Sequence, residues 1–223
     1  MSGYGQFCPV AKTSELLSER WMPLILRELM TGSRRFGEIR NGLPTISTAM
    51  LTKRLRQLES AGVVDRSPTA EYDLTEAGWE LFPIIEAMGV WGQRWARSTY
   101  GPDELDPSLL MWDLHKMLPA EGLSDERAVV AFRFTRAPRG KGHYWLVVDD
   151  SVDLCLIDPG HEVDLWVKAD LKALTKVWMG DLTMRQCLAD ESIELVGPRA
   201  LVRAFPDWFG RHPVLGGVAD ARV

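Results

Sequence analysis

The run Ile46-Ser47-Thr48-Ala49-Met50-Leu51-Thr52-Lys53-Arg54-Leu55-Arg56-Gln57-Leu58-Glu59-Ser60-Ala61-Gly62 reads as one helix with a capped start and a glycine stop. Ser47 is a good N-cap, because its hydroxyl can accept one of the backbone N–H groups that the first turn leaves free. At 100° per residue Leu51, Leu55 and Leu58 fall within about 60° of one another and form a seam to be buried. Ala49, Thr52, Lys53, Arg56 and Ser60 then lie on the opposite side, with Met50 and Arg54 on the flank. A helix with a leucine back and a cationic front suits a duplex groove.

The flanking sequence supplies the rest of a DNA-reading unit. Upstream, Thr13–Leu17 and Trp21–Met30 read as helices, with Pro23 tolerated in a first turn, and Phe36–Arg40 reads as a third, closed by Asn41-Gly42. Downstream, Val63–Ser67 and Tyr72–Leu74 read as two short strands joined by a turn at Pro68–Glu71. Thr75 then caps a long helix from Glu76 to about Arg97, with Leu81, Ile84, Ile85, Met88, Trp91 and Trp95 at helical spacing. This order is that of a winged helix-turn-helix, in which the second helix of the motif enters the major groove. Lys53 and Arg56 can donate to guanine or to phosphate, Thr52 can bond a base edge, and Ala49 can meet a thymine methyl. Ser47 and Thr48 leave N–H groups for a phosphate, and Arg35, Arg54 and Arg66 complete the expected DNA-contacting set.

Charge is distributed unevenly. Residues 1–102 hold 12 Lys and Arg against 11 Asp and Glu, a net of +1, whereas residues 103–223 hold 14 against 20, a net of −6. Within the first part, residues 34–66 carry seven cations against three anions, a local +4 that matches a phosphate footprint. The acidic second part is not expected to touch nucleic acid. No apolar run approaches a membrane span, and Met1–Val10 has neither the basic flank nor the apolar core of a secretion signal, so a cytoplasmic protein is expected. Cys8, Cys155 and Cys187 lie far apart and are odd in number, which argues against a disulfide framework. The four histidines show no metal-ligand spacing, and neither a metal nor a cofactor is expected.

The residues of the first part resemble the HxlR-type bacterial transcriptional regulators. The resemblance runs through Cys8-Pro9, Trp21, Arg35-Phe36-Gly37-Glu38-Ile39, Ile46-Ser47, Met50-Leu51-Thr52-Lys53-Arg54-Leu55, Leu58-Glu59-Ala61-Gly62 and Tyr72-Asp73-Leu74-Thr75-Glu76-Ala77-Gly78 to Trp91. It implies a homodimer formed through the N-terminal segment and the long helix around Ile84–Trp95, bound to a palindromic or repeated operator on double-stranded DNA. It also aligns Cys8 with a cysteine that some members use to sense oxidants or electrophiles, although packing near the dimer seam is the preferred reading. One departure is clear: the family wing usually carries an arginine just before its second strand, whereas here the turn is Ser67-Pro68-Thr69-Ala70-Glu71. Arg66, on the first strand, is the nearest substitute.

After a break at Tyr100-Gly101-Pro102-Asp103 the pattern changes. Pro107–Leu118 reads as a helix capped by Asp106, and Val129–Thr135, Tyr144–Val148, Asp153–Ile157, Val163–Lys168 and Ile193–Val196 read as strands. Pro138–Gly142 forms a hairpin loop. Helices are expected from Asp170 to Met179, from Thr183 to Ala189 and from Arg199 to Trp208. The fold class is therefore α+β, with a winged helix-turn-helix over residues 1–100 and an α+β domain over 103–223. Val163–Phe209 resembles the sterol-carrier-protein-2-like (SCP2-like) fold, which implies an apolar tunnel between sheet and helices and a role in sensing a small-molecule effector. Trp112, Phe132, Phe134, Trp145, Trp166 and Trp178 are the aromatic candidates for lining it, set against the plainer reading that such residues fill a core. Neither a Gly-rich phosphate loop nor a nucleophile elbow is present, and Asp113 and His115, two residues apart, point in different directions, so no enzyme is expected. The leading function is an operator-binding regulator controlled by an apolar small molecule. A redox regulator acting through Cys8 is one alternative, and a carrier or enzyme with a vestigial DNA-binding half is another.

Overall fold

The computed structural model describes residues 3–96, 100–101, 104–137, 140–216 and 218. Pro102 and Asp103 of the expected break, Pro138 and Arg139 of the expected hairpin loop, and Arg97 at the expected helix end lie outside the described residues. The chain divides into two compact units, Met1–Met88 and Gly89–Val223.

The first unit contains α1 (Pro9–Leu17), α2 (Met22–Met30), α3 (Phe36–Asn41), α4 (Thr48–Ser60), β1 (Val64–Arg66), β2 (Tyr72–Leu74) and α5 (Glu76–Trp79), and α6 (Phe82–Trp91) crosses the division. The helix α1 begins four residues earlier than periodicity suggests, because Pro9 sits at its first position, where a missing N–H costs nothing. Its predecessor Cys8 is the N-cap. The core gathers Ile25, Leu26 and Leu29 of α2, Ile39 of α3, Leu51, Leu55 and Leu58 of α4, and Val64, Tyr72 and Leu74 of the strands. Each such side chain contributes roughly 1.5–3 kcal/mol through removal from water. The strands pair antiparallel, with Val64 opposite Leu74 and Arg66 opposite Tyr72, and make the wing.

The helix expected from Glu76 to Arg97 is interrupted. The first piece, α5, ends at Trp79, and α6 restarts at Phe82 with Pro83 in its opening turn. Pro83 has no N–H to give the carbonyl of Trp79 and its ring crowds that turn, which favours the break seen there. The segment Gly92–Ala96 then winds as a π-helical turn, from which the buried Gln93 donates Nε2 to the carbonyl of Met179 at 3.0 Å.

The second unit contains α7 (Pro107–Met117), β3 (Ala128–Thr135), β4 (His143–Val148), β5 (Val152–Cys155), β6 (Leu165–Asp170), α8 (Leu171–Trp178), α9 (Met184–Ala189), β7 (Ile193–Val196) and α10 (Arg199–Phe209). Its sheet has the order β5-β4-β3-β6-β7 and is mixed: β3 runs parallel to β6, and the other neighbours are antiparallel. The α+β class holds. Two strands are displaced from their expected limits, β5 to Val152–Cys155 and β6 to Leu165–Asp170, where ladder pairing sets ends that local alternation does not. Asp106 caps α7 through Ser108 N, Asp170 caps α8 through Ala173 N, and Thr183 caps α9 through Gln186 N.

One sheet face carries Val130, Phe132, Phe134, Tyr144, Leu146, Leu165, Val167 and Ala169 and joins a single core with Met111, Leu114, Leu174, Trp178, Phe205 and Phe209. The two buried indoles are satisfied: Trp178 donates to Asp113 Oδ2 at 2.8 Å and Trp208 to the carbonyl of Pro119 at 2.9 Å. Among the described residues no helix is long and apolar enough to cross a membrane, and no group of three His, Cys, Asp or Glu side chains is placed to hold a metal ion.

Candidate nucleic-acid interface

The helix α4 presents the two sides its sequence requires. Leu51, Leu55 and Leu58 are fully buried, and Ala49, Lys53, Arg56 and Ser60 are exposed. Ser47 accepts from Met50 N at 3.2 Å, which fixes the helix start, and Ser47 and Thr48 themselves remain exposed. Thr52 is half-buried and donates its hydroxyl to the carbonyl of Thr48 at 2.9 Å, so toward a base edge it is an acceptor and suits an exocyclic amine of adenine or cytosine. The outward residues Ala49, Thr52, Lys53 and Arg56 look across a groove of about 840 Å³ whose far wall is α1, with Lys12, Glu15 and Leu16. Sequence reading missed that wall. Lys12 is paired there with Glu15 at 3.2 Å, and only the packing of α1 beside α4 reveals it.

Arg54 requires a correction. Expected on the flank and among the DNA contacts, it is only 5% exposed and turned inward. Its Nε donates to the carbonyl of Arg20 at 2.9 Å, one Nη donates to Gln57 Oε1 at 2.7 Å, and it pairs with Glu19. The turn between α1 and α2 covers that flank of α4 and supplies acceptors that no helical wheel contains. Arg54 is therefore turned into the fold, where it ties α4 to the turn between α1 and α2. Arg54→Ala is expected to lower the stability of the first unit by about 2 kcal/mol, a figure moderated because Glu19 keeps partial access to water. Arg54→Met, which retains the packed stem, is expected to recover part of that loss in thermal unfolding.

The remaining expected contacts surround the wing. Arg35 is exposed but tied to Glu71 through Nε at 3.1 Å and Nη at 3.0 Å, and its neighbour Arg34 pairs with Asp73 at 3.2 Å. These pairs clamp the start of α3 to the second wing strand and cancel part of the local positive charge. Arg66 is exposed, with its guanidinium 5.5 Å over the ring of Tyr72. The tip is closed by Ser67 N to Glu71 O at 2.8 Å and Ala70 N to Ser67 O at 2.9 Å, with Ala70 at φ 64. Cys8, half-buried at the start of α1, is a free thiol.

The aromatic candidates of the second unit separate onto different surfaces. Phe132, Phe134 and Trp178 are packed into the core. Trp112 is half-buried on α7, with the His115 ring tilted against it at 4.5 Å and the Lys116 ammonium 5.6 Å over its ring. Burial pushes the His115 imidazole below its ordinary value. Trp145 and Trp166 are on the opposite side of the sheet, in one row with Ala131 between them. The six do not line one common cavity.

The helices α3 and α4 with the β1–β2 wing make the first unit a winged helix-turn-helix. The family is equally plain: the chain belongs to the HxlR-like helix-turn-helix family, whose model matches residues 16–100. An HTH-type transcriptional regulator of Synechocystis, itself uncharacterized, is 42% identical over 97 residues, covering 41% of this chain and 72% of the relative. YvaP of Bacillus subtilis, an uncharacterized HTH-type transcriptional regulator, is 38% identical over 112 residues, covering 47% of this chain and 95% of that protein. Among solved structures, quinone-bound YodB from B. subtilis is similar at 38% identity over 40% of this chain and all of that chain, with a TM-score of 0.37. The family match ends at residue 100 and leaves most of the second unit outside it.

Proposed function

We propose that this protein is a homodimeric transcriptional regulator that reads a double-stranded operator with α4, and that its second unit is an effector module. The observation that carries the reading is the outward face of α4: Lys53 and Arg56 exposed, Thr52 and Ala49 beside them, and three leucines buried behind. An exposed cationic front on a fully seated helix is the geometry that direct readout in the major groove needs. The test is selection of duplexes from a random pool by the full-length protein. Enrichment of a repeated or inverted motif, with half-sites about 10 bp apart, is expected. Failure to enrich any sequence at moderate salt would instead favour a carrier or enzyme with a vestigial DNA-binding half.

Homodimerisation is supported by apolar surface in the places the family resemblance indicates. None of the ten residues of α6 is buried, and its exposed side includes Ile84, Met88 and Trp91, followed by Trp95 at 71% exposure. In the N-terminal segment Phe7 is fully exposed and Tyr4 and Val10 are more than half exposed. Patches of this kind on a soluble domain mark an interface. In sedimentation velocity the wild type is expected to run as a dimer, and Ile84→Asp combined with Met88→Asp as a monomer with operator affinity reduced at least tenfold.

For the second unit, the succession β6-α8-α9-β7-α10 within a mixed sheet supports the SCP2-like assignment. Gly180 at φ +77 closes α8, in keeping with the glycine spacing that suggested it. An apolar effector held there would act by changing the population of the DNA-binding state.

A further inference from the structure

The wing carries more carboxylates than cations. Over β1, the turn and β2 stand Asp65, Glu71 and Asp73 against Arg66 alone. The ladder sets Asp65 directly opposite Asp73, and both are exposed. Like charges facing across two strands destabilise the pair, so this hairpin draws on cations from elsewhere. They come from the residues that open α3. Arg34 reaches Asp73 at 3.2 Å, and Arg35 reaches Glu71 through Nε at 3.1 Å and Nη at 3.0 Å. The backbone holds both in position. The carbonyl of Arg34 accepts from Tyr72 N at 2.8 Å, and Glu38 Oε2 accepts from Arg34 N at 2.7 Å and from Arg35 N at 2.9 Å.

The two pairs are not equivalent. Arg34, with 37% of its side chain exposed, neutralises one of two facing aspartates, and its departure would leave Asp65 and Asp73 to repel each other. Arg35 has the opposite balance. Its side chain is 71% exposed, and both of its contacts fall on the single oxygen Oε1 of Glu71, so its fork is not engaged bidentately. Among the described residues the Glu71 side chain has no other partner. The wing tip is closed by backbone instead, with Ser67 N donating to Glu71 O at 2.8 Å and Glu71 N to Ser67 Oγ at 3.1 Å. In a helix-turn-helix the first helix crosses the phosphate backbone while the second enters the groove. Here α3 is that first helix, and Arg35 stands at its start with its guanidinium already on an internal anion.

We infer that Glu71 competes with DNA phosphate for Arg35 and so limits how tightly this protein holds a duplex. In the free protein the carboxylate occupies the guanidinium. On DNA the guanidinium passes to a backbone phosphate, which can accept through two oxygens, and Glu71 is released to solvent. The exchange costs little, because an exposed ion pair stabilises little and a freed surface carboxylate is hydrated. Arg34 stays on Asp73. The inference rests on the reading of the first unit as an operator-binding domain, and adds to it a residue that tunes affinity without touching a base.

Affinity is read by fluorescence anisotropy of the full-length protein on a labelled random-sequence duplex of about 30 bp at low salt, where phosphate contacts dominate binding. Glu71→Ala is expected to tighten binding about tenfold for a dimer with two such sites, and Glu71→Gln by less, since an amide oxygen still accepts from the guanidinium. In an Arg35→Ala background the gain from Glu71→Ala is expected to fall below about threefold. Thermal unfolding accompanies each variant. Should Glu71→Ala prove unstable, Glu71→Gln, which keeps the shape of the side chain, carries the comparison. Unchanged or weaker binding in both Glu71 variants, or a gain of the same size with and without Arg35, would overturn the competition. Lys53→Ala with Arg56→Ala on the same duplex separates this failure from that of the operator reading. Binding lost there but unmoved by Glu71 sinks only the competition, whereas no binding by any of the proteins sinks both.

Discussion

Replacing Lys53 and Arg56 together by alanine is expected to weaken binding to a selected operator by roughly a hundredfold or more, the largest effect on function that the structure indicates. Each side chain is exposed on the outer face of α4, and a cation bidentate to guanine accounts for about 1–3 kcal/mol of discrimination, whereas a phosphate contact adds affinity without discrimination. Salt titration separates the two roles. If the side chain binds phosphate, its removal from both half-sites of a dimer lowers the slope of log affinity against log salt by about two and weakens all sequences alike. If it binds a base, its removal relaxes the preference at one position of each half-site and leaves nonspecific binding nearly intact. Arg54→Ala serves as the contrast, because it lowers stability without altering which bases are preferred. Unchanged affinity in the double variant, measured by fluorescence anisotropy on full-length protein, would remove α4 from the interface.

A large effect on stability is expected at Gly78, in α5. A Cβ built there would be 2.3 Å from the carbonyl oxygen of Val63 and 3.0 Å from the side chain of Leu74. That carbonyl cannot move aside easily, since it also accepts from Thr75 N at 3.1 Å. Alanine in a helix interior normally gains about 0.5–1 kcal/mol over glycine, so Gly78→Ala reverses a favourable substitution into a clash. A loss of about 3 kcal/mol is expected, the upper end for overpacking, with hydrogen exchange accelerated first in the wing strands β1 and β2. Gly37→Ala is the matched control: Gly37 is helical in α3 with nothing within 4 Å of its Cβ position, and a neutral or slightly stabilising change is expected. Equal behaviour of the two variants in thermal unfolding would contradict the close packing of α5 on the turn after α4.

How far the residues spoke for themselves depends on the range of the interaction. Ser47 capping α4, Thr75 capping α5, Asp106 before Pro107 and Asp170 at the head of α8 are contacts within four residues, and each was legible from residue type and position. So was the leucine seam, because helical period alone puts Leu51, Leu55 and Leu58 on one side. The interruption before Pro83 was also written in the chain, but the apolar spacing on either side of it masks the missing N–H. The position of Arg54 was not legible. Its angle on the helix is that of a flank residue, and it became internal only because Glu19 and Arg20, more than thirty residues away in sequence, bring acceptors to it.

The same limit governs the second unit. Alternation along β3, β4 and β6 predicts two sides for each strand but not which side the helices cover. Six aromatic residues that look equivalent in sequence therefore end in different surroundings, with Phe132, Phe134 and Trp178 in the core and Trp145 and Trp166 on the outer face. What the chain determined by itself was the winged helix-turn-helix, its leucine-backed helix α4 and the α+β class, because these follow from caps, periods and turn residues acting over a few positions. What only the tertiary structure decided was which cations remain free and which aromatics meet solvent. Those outcomes depend on surfaces brought together across long stretches of chain, where burial and available acceptors outweigh any local preference.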